Sequence, residues 1–354
     1  MIRLRTCALR AALFAAIVFP AHAGLLLFDS ITGSVGLSTD GWGSSLASAG
    51  TISASVPSGG TVLRAWLYTA YLAGSALPSI TGSLDGVPVA YSPRVDNVTA
   101  CCGIGSARAD VTPLVAAAVN GGPGGLYDFT VGEGDTALQD GEALVVIYSL
   151  PSLPVSTIAI FDGYSAIGGD WFTANFAAPL NPAAPGIHAE MRLGIGFSCC
   201  LGDNPPDQFS TVSVNGTAIT NSAGNLDDGT SGSANGDLIT IGGFDDPVSP
   251  FLPDYASDHE RYDLVPRIRA GDTSISVHTE NPSGDDNIFL AAFQVSGQAN
   301  FANAPEPATF LTIGVALLGG AVFAGRPRRY RPGYRGSTVP VAIMANAVRL
   351  GRKK

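Results

Sequence analysis

Between residues 24 and 303 no apolar run lasts long before glycine, proline, asparagine, aspartate or serine interrupts it. The full chain holds 44 glycines and 24 prolines, residues that end helices and set tight turns. The runs that survive are short and rich in β-branched and aromatic residues: TVLRAWLYTAYL (61–72), EALVVIYS (142–149), PVSTIAIFDG (154–163) and NIFLAAFQVSG (287–297). TSISVHT (273–279) alternates instead, which places Ile275 and Val277 on one face and His278 on the opposite, solvent-facing one. STVSVNGTAIT (210–220) carries Asn215-Gly216 at its centre, a hairpin signal because both residues tolerate positive φ. One helix is expected, TPLVAAAVN, with Thr112 as N-cap, Pro113 in its first position and Asn120-Gly121 as its stop. The expected fold class is all-β, of β-sandwich or jelly-roll type. It is read as one large sandwich or two smaller ones meeting near residues 179–185.

At 354 residues and 46% hydrophobic content, the chain has ample material for a buried core. Its net charge of −10 hides a segregation. Residues 1–23 contain Arg3, Arg5 and Arg10 and no acid, and residues 326–354 contain nine basic groups and no acid. The body between them has seven arginines, no lysine and all 29 acids, a formal charge of −22. Such a surface repels phosphate backbones, which argues against nucleic acid as a partner of the body. The lack of lysine also excludes lysine nucleophiles and lysine-to-asparagine crosslinks there.

Both ends read as addresses. MIRLRTCALRAALFAAIVFPAHA (1–23) places arginines first, then a short apolar segment, then Ala21-His22-Ala23 as a small-x-small cleavage site. These are the parts of a secretory signal peptide, after which Gly24 begins a β-rich body of residues 24–303. Near the other end, residues 308–324 carry no charge. As a helix they would cover roughly 26 Å, at the lower limit for a membrane span. Arg326, Arg328 and Arg329 follow at once, and such a cluster stays on the cytoplasmic side. The body is therefore expected across the inner membrane from a basic cytoplasmic tail, residues 330–354.

Pro305-Glu306-Pro307, the apolar segment with its small residues and the arginine cluster follow one another within residues 304–329. This ordered set resembles the PEP-CTERM sorting signal. The resemblance implies an exosortase-type processing enzyme as partner, a membrane protein of transpeptidase-like character. It also implies a cargo exported to the cell surface or extracellular matrix, associated with biofilm or extracellular polysaccharide. The chemistry agrees, because the helix would park the cargo in the bilayer while the prolines present a stiff, extended peptide just outside it. The chain departs from the family pattern by continuing past the basic cluster through VPVAIMANAV (339–348) to Lys354. Segments such as CCGIGSARADVTPLV and GDDNIFLAAFQVSG also resemble the bodies of other exported PEP-CTERM proteins. That likeness implies a shared β-rich domain and transfers no catalytic residue.

Export makes disulfides the expected state of the four cysteines left after Cys7 departs with the leader: Cys101, Cys102, Cys199 and Cys200. Bonding neighbours is strained, since consecutive Cα atoms lie about 3.8 Å apart. A crosslink between the two pairs would close a loop of roughly 100 residues and stabilise by up to ~4–5 kcal/mol in the chain-entropy model. A redox or zinc site is the alternative, although the CC…CC spacing lacks the gap of zinc knuckles.

No GxSxG elbow, HExxH, P-loop or dinucleotide fingerprint occurs, so the body is expected to be non-enzymatic. A secreted hydrolase using His259 beside Asp258 or Glu260 is one alternative; His188, His259 and His278 otherwise read as surface histidines among acids. A carbohydrate-binding module is another, with Trp42, Trp66 and Trp171 as candidate exposed stacking platforms. GNLDDGTSGSANGD (224–237) makes calcium the candidate cofactor, with Asp227, Asp228 and Asp237 as the oxygen donors to test. The same composition also forms ordinary turns.

Overall fold

The interrupted apolar runs pair into four antiparallel sheets. The structure, a computed structural model, describes residues 24–72, 80–97, 103–166, 168–196, 210–224, 228, 238–248, 260–282 and 287–303. The front outer sheet has the order β3-β9-β5-β6, with β3 Ala49–Val56, β9 Gly125–Glu133, β5 Gly82–Leu84 and β6 Val87–Val89. The front inner sheet runs β2-β10-β4-β8-β7, with β2 Val35–Trp42, β10 Gln139–Ser149, β4 Thr61–Leu72, β8 Ile104–Asp110 and β7 Arg94–Asn97. The back inner sheet runs β1-β11-β19-β13-β16, with β1 Leu26–Gly33, β11 Ser156–Asp162, β19 Asn287–Ser296, β13 Ala189–Gly196 and β16 Thr240–Ile241; β17, Arg261–Asp263, also pairs with β13. The back outer sheet runs β15-β14-β18-β12-β20, with β15 Thr217–Ala223, β14 Ser210–Val214, β18 Ser274–Glu280, β12 Asp170–Phe176 and β20 Ala299–Asn303.

Three apolar layers separate the four sheets. Ile52, Phe129 and Val131 of the front outer sheet pack on Leu67, Leu144 and Val146 of the front inner one. The opposite face of that inner sheet, through Trp66, Tyr68, Val145 and Ile147, packs on Ile158, Ile160 and Phe289 of the back inner sheet. Phe161, Met191, Leu193 and Phe293 then meet Phe172, Ile275, Val277 and Phe301 of the back outer sheet. The Phe161 ring lies edge-on to Phe172, Phe293 and Phe301 at centroid distances of 4.7, 5.7 and 6.1 Å. Such aromatic pairs contribute about 0.5–1.5 kcal/mol each beyond their burial. The fold is thus two sandwiches back to back. The chain enters the back one with β1, builds the whole front one from β2 to β10, and returns with β11. Residues 179–185 lie between β12 and β13, inside the back sandwich.

Local signals behave as their chemistry requires. Asn215 and Gly216 sit at φ 49° and 75° and join β14 to β15. Helix α1, Thr112–Val119, starts one residue earlier than expected, with Val111 as cap. The Thr112 hydroxyl does not cap it. Instead it accepts the Ala65 N–H at 2.9 Å, because the helix is tied to β4. Asn120 ends the helix and accepts the Val62 N–H through Oδ1 at 2.8 Å. Among the described residues no helix is long and apolar enough to cross a membrane; residues 308–324 lie outside them.

Candidate functional site

Three polar constellations and one sheet face collect the chemistry of the body. The first lies at one end of the front sandwich. Glu133 at the end of β9 and Glu142 on β10 are neighbours that each perturb the other's titration, and Glu142 is wholly buried. Gln139 Nε2 donates to Glu142 Oε1 at 3.3 Å and to Thr69 Oγ1 at 3.2 Å. Among the described residues no donor reaches either oxygen of Glu133 or Glu142 Oε2. Burial pushes Glu133 up to about 8, and burial with the Glu133 charge pushes Glu142 well above the carboxylate range. Both shifts favour the protonated carboxyl.

The second constellation joins the two sandwiches. Arg192 on β13 donates to Glu190 through Nε and to Thr39 Oγ1 of β2 through NH1, the latter at 2.9 Å. Arg261 Nε lies 2.9 Å from Glu190 Oε1. Burial by itself would raise the Glu190 carboxyl, but the two guanidinium groups outweigh it and hold it below the usual range. This is a structural clamp, because every charge in it is met within the fold.

The third gathers Asp40, Asp228, Asp245 and Asp246. Asp228 is half-buried as a residue, but its carboxyl turns inward and accepts the Ile241 N–H. A Cβ on Gly41 would come within 2.8 Å of that carboxyl, so the close approach needs glycine. Burial, with repulsion from Asp245 and Asp246, raises Asp40 to about 7, and burial with repulsion from Asp246, Asp40 and Asp245 holds Asp228 well above the usual carboxylate range. Among the described residues no group of three or more His, Cys, Asp or Glu is placed to hold a metal ion. Of the calcium candidates, Asp228 has its place here, while Asp227 and Asp237 lie outside the described residues.

The sheet face is the solvent side of the back outer sheet. Alternation along β12, β18 and β14 points Phe172, Ala174, Ile275, Val277, Val212 and Val214 inward. It turns Trp171, Thr173, Asn175, Ser274, Ser276, His278, Thr211 and Ser213 outward. Register sets Trp171 opposite His278, and their rings stack at 4.0 Å with an interplanar angle of 15°. His278 was expected to be a surface residue, but its side chain is only 16% exposed because the indole covers it. Burial lowers its pKa, with Glu280 acting in the opposite direction, so the stacked imidazole is neutral at pH 7. Trp42 and Trp66 are no solvent platforms: they are 6% and 5% exposed and fill the cores on either face of the front inner sheet. His188 spends both ring nitrogens on Ser156 and Ser296, at 3.1 and 2.8 Å. His259, the cysteines Cys101, Cys102, Cys199 and Cys200, the Pro305-Glu306-Pro307 motif and Arg326, Arg328 and Arg329 lie outside the described residues.

Sequence reasoning missed the Glu133–Glu142 pair and the Arg192 clamp, whose members carry no motif and meet only through sheet pairing. A charged residue inside an otherwise apolar run, as Glu142 is in EALVVIYS, was the one available signal.

No curated protein and no solved structure matches the chain. Residues 303–329 match the family model of the PEP-CTERM protein-sorting motif, and the match stops there, leaving the fold of the body to its own evidence. The chain thus carries a PEP-CTERM sorting motif, which supports an exported, surface-directed protein sorted by an exosortase.

Proposed function

We propose that the body is a non-enzymatic interaction module of the cell surface or extracellular matrix, engaging exopolysaccharide through the solvent face of the back outer sheet. Residues 1–23 direct its export, residues 308–324 hold it at the inner membrane, and processing at the Pro305-Glu306-Pro307 motif releases it into a biofilm matrix. The observation that carries this reading is the Trp171–His278 stack set among short hydroxyl and amide side chains. A sugar ring presents an apolar C–H face and a rim of hydroxyls. An aromatic pair among Ser, Thr and Asn side chains complements both. The paired carboxyls that would suit hydrolysis are enclosed instead, with Glu142 buried between sheets, which supports a binding role.

A glycan array tests the reading, run on the parent and on Trp171→Ala, with and without EDTA. We expect a glycan retained by the parent and lost by the variant; an array that retains nothing removes the proposal. Loss on adding EDTA would assign calcium to the Asp227, Asp228 and Asp237 loop. Turnover of polysaccharide or ester substrates would overturn the non-enzymatic assignment. Intact mass of the protein from its native producer would show both terminal segments gone and four thiols oxidised.

A further inference from the structure

A pocket of about 330 Å³ opens at one end of the back outer sheet, lined by Asn215, Thr217, Arg267, Arg269, Asp272 and Ser274. Leu25 and Asn303 lie at the other end of that sheet: the Leu25 N–H donates to Asp170, and Asn303 pairs with Phe172, whereas Ser274 pairs with Asn175. The pocket wall is preformed. Asn215 donates through Nδ2 to the Arg267 carbonyl at 2.8 Å and accepts the Ser276 N–H at 2.9 Å. Asp272 Oδ2 accepts the Arg269 N–H at 2.7 Å.

Those bonds hold the turns and leave other groups over. The Thr217 and Ser274 hydroxyls, Asp272 Oδ1 and the Arg269 guanidinium have no partner among the described residues. Arg269 is set apart from the other cations of the body. Arg64, Arg94, Arg108, Arg192 and Arg261 are each ion-paired with a carboxylate, and Arg267 is engaged within the fold. In a body where acids outnumber arginines 29 to seven, Arg269 is an exposed guanidinium that meets no carboxylate among the described residues and is open to one from outside the chain. A guanidinium takes a planar carboxylate through two parallel N–H donors. The neighbouring hydroxyls and the free oxygen of Asp272 suit the hydroxyls of a sugar ring.

We propose that this pocket reads the carboxylate of a uronic-acid unit in an anionic polysaccharide, with Arg269 as the recognition residue. The inference rests on the polysaccharide reading above and narrows it to acidic polymers. The −22 body opposes such a polymer at long range, but screening over about 8–10 Å at physiological salt leaves the short-range contact in control.

The test titrates full-length protein in detergent, at physiological ionic strength, with a short oligogalacturonate and with its carboxyl-reduced, neutral counterpart. Parent, Arg269→Gln and Arg269→Lys are compared. We expect Arg269→Gln to weaken oligogalacturonate binding about tenfold or more and Arg269→Lys to keep part of it, with thermal midpoints unchanged because the side chain is exposed. The neutral oligomer should bind more weakly and be indifferent to residue 269. Equal binding by the parent and Arg269→Gln overturns the proposal, as does equal binding of the two oligomers; either result leaves the broader polysaccharide reading standing. Absence of binding to both oligomers also overturns it, and the glycan array then decides the broader reading separately.

Discussion

Strand β10 of the front inner sheet is buried at every residue but its last, whereas β18 of the back outer sheet is buried only at every second one. The inner sheets have a sheet packed on each face, and the outer sheets have one. An inner strand therefore accepts a polar side chain only where the fold supplies a partner, as Gln139 does for Glu142. An outer strand is free to turn half of its side chains to solvent. The groups proposed here to meet a ligand stand on the outer sheet or in its turns, where exposure costs the core nothing.

The sharpest test of this contrast replaces one side chain of each kind. Phe161→Ala removes a ring wholly buried among Phe172, Phe293 and Phe301 and should cost about 3–5 kcal/mol in urea unfolding. A loss no greater than that of a solvent-face substitution would break the layered arrangement. Next in size is the pH response of the inner carboxyl pair. Glu133 titrates near 4.5 when unfolded and about 8 when folded, so its contribution is present below about pH 4.5 and is lost as pH rises toward 8. Thermal midpoints should fall across that window. Glu142→Gln, which keeps a donor toward Glu133 without a second ionisable group, should flatten the slope and raise stability by about 1–3 kcal/mol at pH 8–9. An unaltered slope would show that the two carboxyls do not perturb each other's titration.

Smaller effects belong to the outer sheet. Gly216→Ala places a Cβ at φ 75° in the β14–β15 turn and should cost about 1 kcal/mol, measured by the shift in denaturation midpoint. Thr173→Ala, on the solvent face beside Trp171, should stay within about 0.5 kcal/mol of the parent. A cost comparable to that of Phe161→Ala would mean that this face is covered.

Much of the strand content was legible. TVLRAWLYTAYL coincides with β4, Thr61–Leu72, and the alternation of TSISVHT gave the inward Ile275 and Val277. Continuous apolar runs and alternating ones even separate inner strands from outer, since a strand covered on both faces has no polar side to show. The tryptophans misled, because an indole suits a core and a sugar platform equally well, and local sequence does not say which neighbour covers it. Asp40 and Asp228 are far apart along the chain, as are Thr39 and Arg192, and nothing local to either partner announces the other.

The sequence alone determined the address and the material. Pro305-Glu306-Pro307 with its apolar segment and arginines is a linear signal, readable without a fold because its parts follow one another along the chain. Side-chain periodicity and turn chemistry likewise settled an all-β body, because both act over a few residues. Tertiary structure decided which groups share a site. It brought the Asn215 turn against Arg269 and Asp272 to make a pocket, and set Trp171 against His278. Those meetings depend on which strands pair and in what register, a choice made by long-range packing rather than by any one segment.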